Sequence, residues 1–325
     1  MQNNITNKNI LVTGGAGFIG SNLIEKFLSQ SNKVICLDDF STGKLENIAS
    51  FFHNPNFTLI EGSIVNQNVC QNACKDIDIV FHEAALGSVL RSVKDPMRTH
   101  KVNVNGFLNM LVAACDNKVK RFIYASSSSV YGDANYSPKV EEKIGNPMSP
   151  YAITKYTNEL YAQNFGKLYG IETIGLRYFN VFGPNQNPQG EYAAVFPKFI
   201  DLIINGIEPI IYGDGKQSRD FTYIENVVLA NELAATTKNK EAINNIFNIG
   251  FGQTNELLFL TTEIIKIISQ YLPERQGLKP TFAAERIGDI KNSCACIDKA
   301  KTMLNYDPKI NVLDGLKKYI PIFLR

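Results

Sequence analysis

The segment Thr13-Gly14-Gly15-Ala16-Gly17-Phe18-Ile19-Gly20 constrains this chain more than any other. It follows a short apolar run, Lys8 to Thr13, and opens a stretch from Gly20 to Gln30 in which Leu23, Ile24, Phe27 and Leu28 recur at helical spacing. The pattern reads as strand, tight turn and helix. Glycines at 14, 17 and 20 clear the turn of side chains and let backbone N–H groups approach a pyrophosphate at the helix N-terminus. Similar spacings also arise for packing alone, so context decides. Here a second apolar run, Lys33 to Leu37, ends at Asp38, about 20 residues beyond the turn. A carboxylate there can accept hydrogen bonds from an adenosine ribose diol and repel a 2′-phosphate, which favours NAD over NADP.

Further strand-like runs follow at Phe57–Ile60, Ile77–His82, Arg121–Ser126 and Glu172–Arg177, with helical patterns at Thr99–Asn117 and Tyr151–Leu168. Strands alternating with helices predict an α/β fold, a Rossmann-type doubly wound parallel sheet with right-handed crossovers. After Asn180 the stretch VFGPNQNPQGEY is rich in Pro, Gly and Asn and reads as an exit into a loop-built region. Phe221–Ala235 and Asn245–Ile249 read as a return to the main sheet. Pro209–Tyr212 and the tail from Gln253 are assigned to a smaller α/β lobe. The expected division is 1–180 with 219–250 for the NAD-binding domain, and 181–218 with 251–325 for the substrate lobe.

A chain of 325 residues with 44% hydrophobic content can bury such a core. Its formal charge of +2, from 33 basic and 31 acidic residues, offers no electrostatic case for nucleic acid or a membrane as main partner. The six cysteines lack the C-x-x-C spacing of a zinc site, so reduced thiols and no metal are expected. No stretch reads as a signal peptide or approaches the roughly 20 apolar residues of a membrane span. A cytoplasmic location is the default expectation.

Tyr151-Ala-Ile-Thr-Lys155 opens a helix just after Ser149-Pro150, and residues four apart share a helical face, so phenol and ammonium can enter one cleft. A nearby ammonium and a positive nicotinamide ring both favour phenolate, so the tyrosine pKa is expected to fall from its reference near 10. Tyr151 is thereby a candidate base. Upstream, Ser126-Ser127-Ser128-Ser129 precedes Val130-Tyr131-Gly132 and ends a strand with hydroxyls that can hold a substrate hydroxyl against the phenolate.

The pieces TGGAGFIG, the serine run before VYG, SPYAITK, GLRYFNVFGP, SRDFTYIENV and RIGD resemble, in this order, the extended short-chain dehydrogenase/reductase family over nearly the whole chain. HEAALGSVLRSVKDP and NVNGFLNMLVAA resemble the subgroup of 4-epimerases handling UDP-N-acetylglucosamine or its uronic acid. The resemblance implies Ser127, Tyr151 and Lys155 as the catalytic set, with Ser128 and Ser129 lining the site. For NAD it implies Gly14, Gly17, Phe18, Ile19, Gly20, Asp38, Asp39, Ser41, Thr42 and Gly43, then Ala84, Ala85, Asn103, Tyr151, Lys155 and Phe179. Ser63 and Ile64 complete this set, although Ser63 stands where the family usually carries an aspartate that serves the adenine.

A UDP-sugar needs positive charge for its diphosphate and a pocket for its hexose. The family pattern places Arg219 and Arg286 near the diphosphate and Asp289 near the uridine ribose. Asn180, Ala194, Val195, Lys198 and Tyr212 match other substrate-contacting places, and Ser88 and Arg91 fit the loop near the hexose. Ser293, four residues after Asp289, matches a position where epimerases that exclude N-acetyl groups tend to carry tyrosine. A serine there leaves room for a 2-acetamido group.

The expected activity is C4 epimerisation of UDP-GlcNAc and UDP-GalNAc through a transient 4-keto sugar. A nucleotide-sugar 4,6-dehydratase would need an acid/base pair where Ser128 and Ser129 stand. A UDP-glucuronate decarboxylase or a uronic acid 4-epimerase stays open, because Arg91 can hold a carboxylate. An NAD-binding regulatory protein would have no need of the Ser127, Tyr151 and Lys155 set. The resemblance further implies a homodimer through helices Thr99–Asn117 and Tyr151–Leu168, and a role supplying amino sugars for surface polysaccharide.

Overall fold

The computed structural model describes residues 4–188, 194–285 and 292–324. One sheet contains β1 (Asn9–Thr13), β2 (Lys33–Asp38), β3 (Phe57–Glu61), β4 (Ile79–His82), β5 (Arg121–Ser127), β6 (Glu172–Tyr178) and β7 (Asn245–Ile249). The strand order is β7-β6-β5-β4-β1-β2-β3, and every neighbouring pair is parallel. The order reverses between β1 and β4, and such a reversal opens a crevice beyond the carboxyl ends of those two strands.

Side-chain alternation explains why these runs are apolar throughout. Ile10 and Val12 belong to the core on one face and Leu11 to the core on the other; Ile79 and Phe81 oppose Val80, and Ile123 opposes Phe122 and Tyr124. Both faces are covered, so the strands read as continuous hydrophobic segments. The helices are α1 (Phe18–Leu28), α2 (Gln67–Ala73), α3 (Val89–Lys94), α4 (Pro96–His100), α5 (Phe107–Asp116), α6 (Pro150–Tyr169), α7 (Val195–Ile204), α8 (Ile224–Thr236) and α9 (Leu257–Ser269). Leu23, Ile24 and Phe27 of α1 share the first face with Val227, Ala230 and Leu233 of α8. Cys70 of α2, Phe107, Met110 and Leu111 of α5, and Ala162 and Phe165 of α6 cover the second.

Two segments differ from the sequence reading. The helix expected over 99–117 starts earlier, at Pro96, where Asp95 caps it by accepting from the Arg98 N–H at 3.0 Å. It also passes through a π-helical turn, Lys101–Gly106, before α5. Phe221–Ala235 returns to the sheet mostly as α8, and only Thr222–Tyr223 forms a strand, paired with Val181–Phe182. Its apolar residues recur at helical spacing and NELAA is a strong helix-forming run, so β7 alone supplies the returning strand.

Around the crevice, Ile210–Tyr212 pairs in parallel with Thr281–Ala283. Ser218–Arg219 lies between Asn255–Glu256 and Asn292–Ser293. Among the described residues no helix is long and apolar enough to cross a membrane.

Candidate active site

The first wall of the crevice is the glycine turn after β1. Gly14 has a φ of 67°, and its N–H donates to the Leu37 carbonyl of β2 at 2.8 Å. A Cβ on Gly14 would stand 2.7 Å from the Ala84 nitrogen, and one on Gly20 would stand 2.2 Å from the Gly14 carbonyl oxygen. Neither position tolerates a side chain. Helix α1 begins behind Gly17 with no side-chain cap, which leaves its first N–H groups available to an anion.

Asp38, 7% exposed at the end of β2, accepts from the Ala16 N–H at 2.9 Å and the Phe40 N–H at 2.8 Å. Burial nevertheless holds its carboxyl above the usual range, against those N–H bonds. Asp39 behaves oppositely. Burial pushes it up, but hydrogen bonds from Ser41 and Ser63 and the charge of Arg98 bring it below its ordinary value. Ser63, which replaces an expected aspartate, thus favours the charged form of Asp39.

A cavity of about 1090 Å³ runs from this turn across the ends of β1, β4 and β5. Gly14, Gly17, Phe18, Ile19, Gly20 and Asp38 line it, together with Asp39, Ser41, Thr42, Ile64, Ala84 and Ala85. Other cofactor candidates lie behind that surface. Gly43 packs on Asp38, where an added Cβ would meet its Oδ1 at 2.8 Å. Asn103 accepts from the Leu86 N–H at 2.8 Å and donates to Thr154 Oγ1 at 3.1 Å, tying the loop after β4 to α6. Phe179 is fully buried beside Tyr131.

The reactive corner is built where β5 ends and α6 begins. Ser149 caps α6 by accepting from the Ala152 N–H at 3.1 Å, and Pro150 occupies the first turn. This places Tyr151 and Lys155 one turn apart on the cavity wall. Ser127 lies on the same wall, where its Oγ accepts from the Ser129 N–H at 3.1 Å and its hydroxyl favours the charged form of the Tyr151 phenol. Lys155, 3% exposed, donates from Nζ to the Ala125 carbonyl at 2.8 Å and lies 6.0 Å from the Tyr151 ring centroid.

The expectation of a lowered phenol pKa rests on the ammonium together with a nicotinamide ring; the groups of the protein alone act in the other direction. Burial pushes it above its ordinary value; Ser127 pulls it down and the charge of Glu83 pushes it up further. The ammonium is directed to Ala125 instead of the phenol oxygen, so its charge does not offset that burial. Lys155 itself is brought down to about 8, burial outweighing the opposing charges of Glu83 and Glu159.

Several supporting residues were not assigned from sequence. Arg177 meets Glu159 through Nε and Nη2, each at 2.8 Å, and Ser126 donates to Glu159 Oε1 at 2.5 Å. Arg177 Nη1 donates to Tyr131 Oη at 3.0 Å, and Tyr131 donates to Asn248 Oδ1 at 2.6 Å. This buried network joins α6 to β5, β6 and β7. Glu83, immediately after β4, lines the cavity and accepts from Tyr178 Oη at 2.9 Å. Its signal was available, since a carboxylate following an apolar parallel strand falls at the crevice.

On the substrate side, strand pairing sets Ser293 beside Arg219, and both line the cavity with Ser88, Ser128, Ser129 and Asn180. Ser129 Oγ is buried without a hydrogen-bond partner among the described residues. Ser88 caps α3 by accepting from the Arg91 N–H at 3.2 Å, which keeps Arg91 on the adjoining turn. Asp220 follows Arg219 and accepts from the N–H groups of Phe251 at 2.9 Å, Gly252 at 2.9 Å and Ala295 at 3.2 Å. Burial raises its carboxyl to about 6. Ala194, Val195 and Lys198 stand at the start of α7, and Tyr212 ends its short strand; none of them borders the cavity. Arg286 and Asp289 lie outside the described residues. Among the described residues no cluster of His, Cys, Asp and Glu could hold a metal ion.

A three-glycine turn at the switch point of a parallel sheet, with a carboxylate ending the next strand and a Tyr/Lys pair on the facing helix, defines a dinucleotide-dependent enzyme. The chain belongs to the NAD dependent epimerase/dehydratase family, whose model matches residues 10–250, and NAD is its cofactor. Among its relatives is the UDP-glucose 4-epimerase of Mycolicibacterium smegmatis, 33% identical over 315 residues that cover 96% of this chain and 97% of that protein. A solved UDP-N-acetylglucosamine 4-epimerase from Methanobrevibacter ruminantium, in complex with UDP-N-acetylmuramic acid, superposes with a TM-score of 0.90 at 38% identity, covering 98% of this chain and 99% of that one. The UDP-glucuronic acid 4-epimerase from Bacillus cereus, solved with UDP-glucuronic acid and NAD, gives 0.86 at 33% identity, covering 96% and 98%. The obligatory glycines, the uncapped α1 and the Asp38 carboxylate fit the dinucleotide.

Proposed function

We propose that this protein is a UDP-hexose 4-epimerase acting on UDP-GlcNAc and UDP-GalNAc. The observation that carries the reading is the composition of one cavity. Ser127 and Tyr151 share its wall, Lys155 stands one turn on, hydroxyls instead of carboxylates occupy 128 and 129, and Ser293 lies beside Arg219. Bound NAD supplies the hydride acceptor and donor.

In this reading Tyr151 takes the proton of the sugar 4-hydroxyl while Ser127 holds the oxygen that becomes the ketone. Lys155 keeps positive charge near the phenol. Arg219 holds the diphosphate, so the 4-keto sugar can turn about that anchor and present its other face. Tyr151 then returns the proton to the new hydroxyl. A 4,6-elimination finds no acid/base pair at Ser128 and Ser129. Ser293 leaves space where a tyrosine would crowd an acetamido group. The likeness to a UDP-N-acetylglucosamine 4-epimerase supports the same substrate.

A second reading, a uronic acid substrate, is favoured by Arg91 on the turn capped by Ser88. We also propose a homodimer. Phe107, Met110, Leu111, Ala113 and Ala114 of α5 are buried within one chain, whereas Val89, Leu90, Val93 and Met97 on α3 and α4 and Ile153 and Leu160 on α6 are exposed large hydrophobics. A second copy would cover them, and sedimentation of the purified protein reads that directly.

The substrate test is incubation with UDP-GlcNAc, UDP-glucose and the uronic acid of UDP-GlcNAc separately, without added cofactor, and resolution of products by NMR. The galacto epimer of UDP-GlcNAc as the fastest product is the expected result. A deoxy-keto or pentose product would replace the epimerase reading with a dehydratase or a decarboxylase.

A further inference from the structure

Glu83 stands in the cavity wall yet has no part in the chemistry above. Its Oε1 accepts from Tyr178 Oη on β6 at 2.9 Å. Behind the phenol, Asn231 of α8 donates to Tyr178 Oη at 2.9 Å and to the Val227 carbonyl at 2.9 Å, so the tyrosine is held from both sides. The charged and titratable groups within electrostatic reach of the carboxylate are Tyr178, Lys155 and Tyr151. The neighbouring His82 bonds to Thr13 Oγ1 at 2.9 Å, packs between Phe107 and Phe122, and is kept neutral by burial, its pKa down to about 3.

A negative charge in this corner acts on two partners with one sign. It favours the Lys155 ammonium and disfavours the Tyr151 phenolate, so it raises the pKa of both. We infer that Glu83 is a positioning residue for the reaction, an anion fixed by Tyr178 and Asn231 that keeps Lys155 charged and sets the pH at which Tyr151 ionises. The inference rests on Tyr151 as the proton-transferring group, not on any particular sugar.

The carboxyl is itself raised, to about 7, by burial against the opposing pull of Tyr178 and Lys155. Its charge therefore fades as the medium acidifies below neutrality. Protonation removes a charge that opposes the Tyr151 phenolate.

The test is a phenol titration by ultraviolet difference absorbance on the purified holoprotein, taking each protein minus its Tyr151→Phe counterpart, with and without Glu83→Gln. The amide keeps the shape and can still accept from Tyr178. The Tyr151 midpoint is expected to move to lower pH by about one unit in Glu83→Gln, with the acid limb of the turnover profile following it, and Glu83→Asp should restore most of the shift. Should Glu83→Gln fold poorly, Tyr178→Phe serves in its place. It keeps the carboxylate and removes its donor, so Glu83 titrates higher and the acid limb shows the loss of its charge earlier. Coincident midpoints with only a lower melting temperature would overturn the inference and leave Glu83 structural. A shifted midpoint in a protein that epimerises no UDP-sugar would sink the substrate reading while keeping this one.

Discussion

Lys155 Nζ donates to the Ala125 carbonyl at 2.8 Å and stands 6.0 Å from the Tyr151 ring centroid, although the two residues share a face of α6. The ammonium is thus anchored to the end of β5, and Ser127 is the neighbour that favours the phenolate. Helical spacing brought the pair together, but the strand end divides their roles.

If Tyr151 moves the proton, Tyr151→Phe removes the atom that carries it and leaves the ring's packing intact. Turnover should fall by about a hundredfold to ten-thousandfold, with the melting temperature nearly unchanged. Initial epimerisation rates by NMR beside a thermal unfolding curve check both halves.

Ser127 lowers the Tyr151 pKa, working against burial and Glu83. Ser127→Ala deletes that help, so phenolate forms only at higher pH and the rising acid limb should move upward. At neutral pH the rate should drop by about tenfold for each unit of displacement. A pH series from mildly acidic to alkaline buffer locates the limb; a uniform loss with no displacement would leave Ser127 as a substrate contact alone.

Asp38 keeps a carboxylate against burial through two backbone N–H groups. Asp38→Asn turns an amide donor toward one of those donors and takes away the charge that we propose for the ribose diol. Retention of NAD through gel filtration should fall by about tenfold or more, and discrimination against NADP should weaken. Cofactor content after denaturation, measured by absorbance, reads the first effect, and competition with NADP the second.

Ser293 and Arg219 are neighbours in adjacent short strands, so bulk added at 293 enters the cavity. Ser293→Tyr should cut the rate on UDP-GlcNAc relative to UDP-glucose by about 10- to 200-fold, the scale of a steric exclusion. Equal losses on both sugars would remove 293 from the hexose pocket.

Glu159 is buried with Arg177 and accepts from Ser126. Glu159→Ala strands a guanidinium inside the protein and should cost about 3–5 kcal/mol of stability, visible as a lower denaturant midpoint. Burial and the carboxylate of Glu159 act on Arg177 in opposite directions, and the carboxylate prevails, so the arginine stays charged at any working pH.

Local regularities carried most of the fold. The apolar runs of β1 to β6 and their alternation with helices are period-2 and period-3.6 patterns, and the glycine turn is a backbone requirement that leaves a direct mark, as the 2.7 Å and 2.2 Å approaches at Gly14 and Gly20 show. The segment from Phe221 was harder, because a short apolar run fits a helix or a strand and only packing against α1 and the sheet selects α8. Residues with a motif spacing, such as Tyr151 and Lys155, were legible. Glu83 offered a strand-end carboxylate, but its bond to Tyr178, 95 positions away, was not legible because no spacing rule links them.

The sequence by itself determined the class of sheet, the dinucleotide turn and the placing of Tyr151 and Lys155 on one helical face, since each depends on residues close together in the chain. The tertiary structure alone decided which carboxylate and carbonyl meet that pair, that Ser293 stands beside Arg219, and that burial and Glu83 push the Tyr151 phenol up. Those outcomes follow from burial and from charges brought together by strand order, and desolvation is a property of the packed surroundings that no local pattern of residues records.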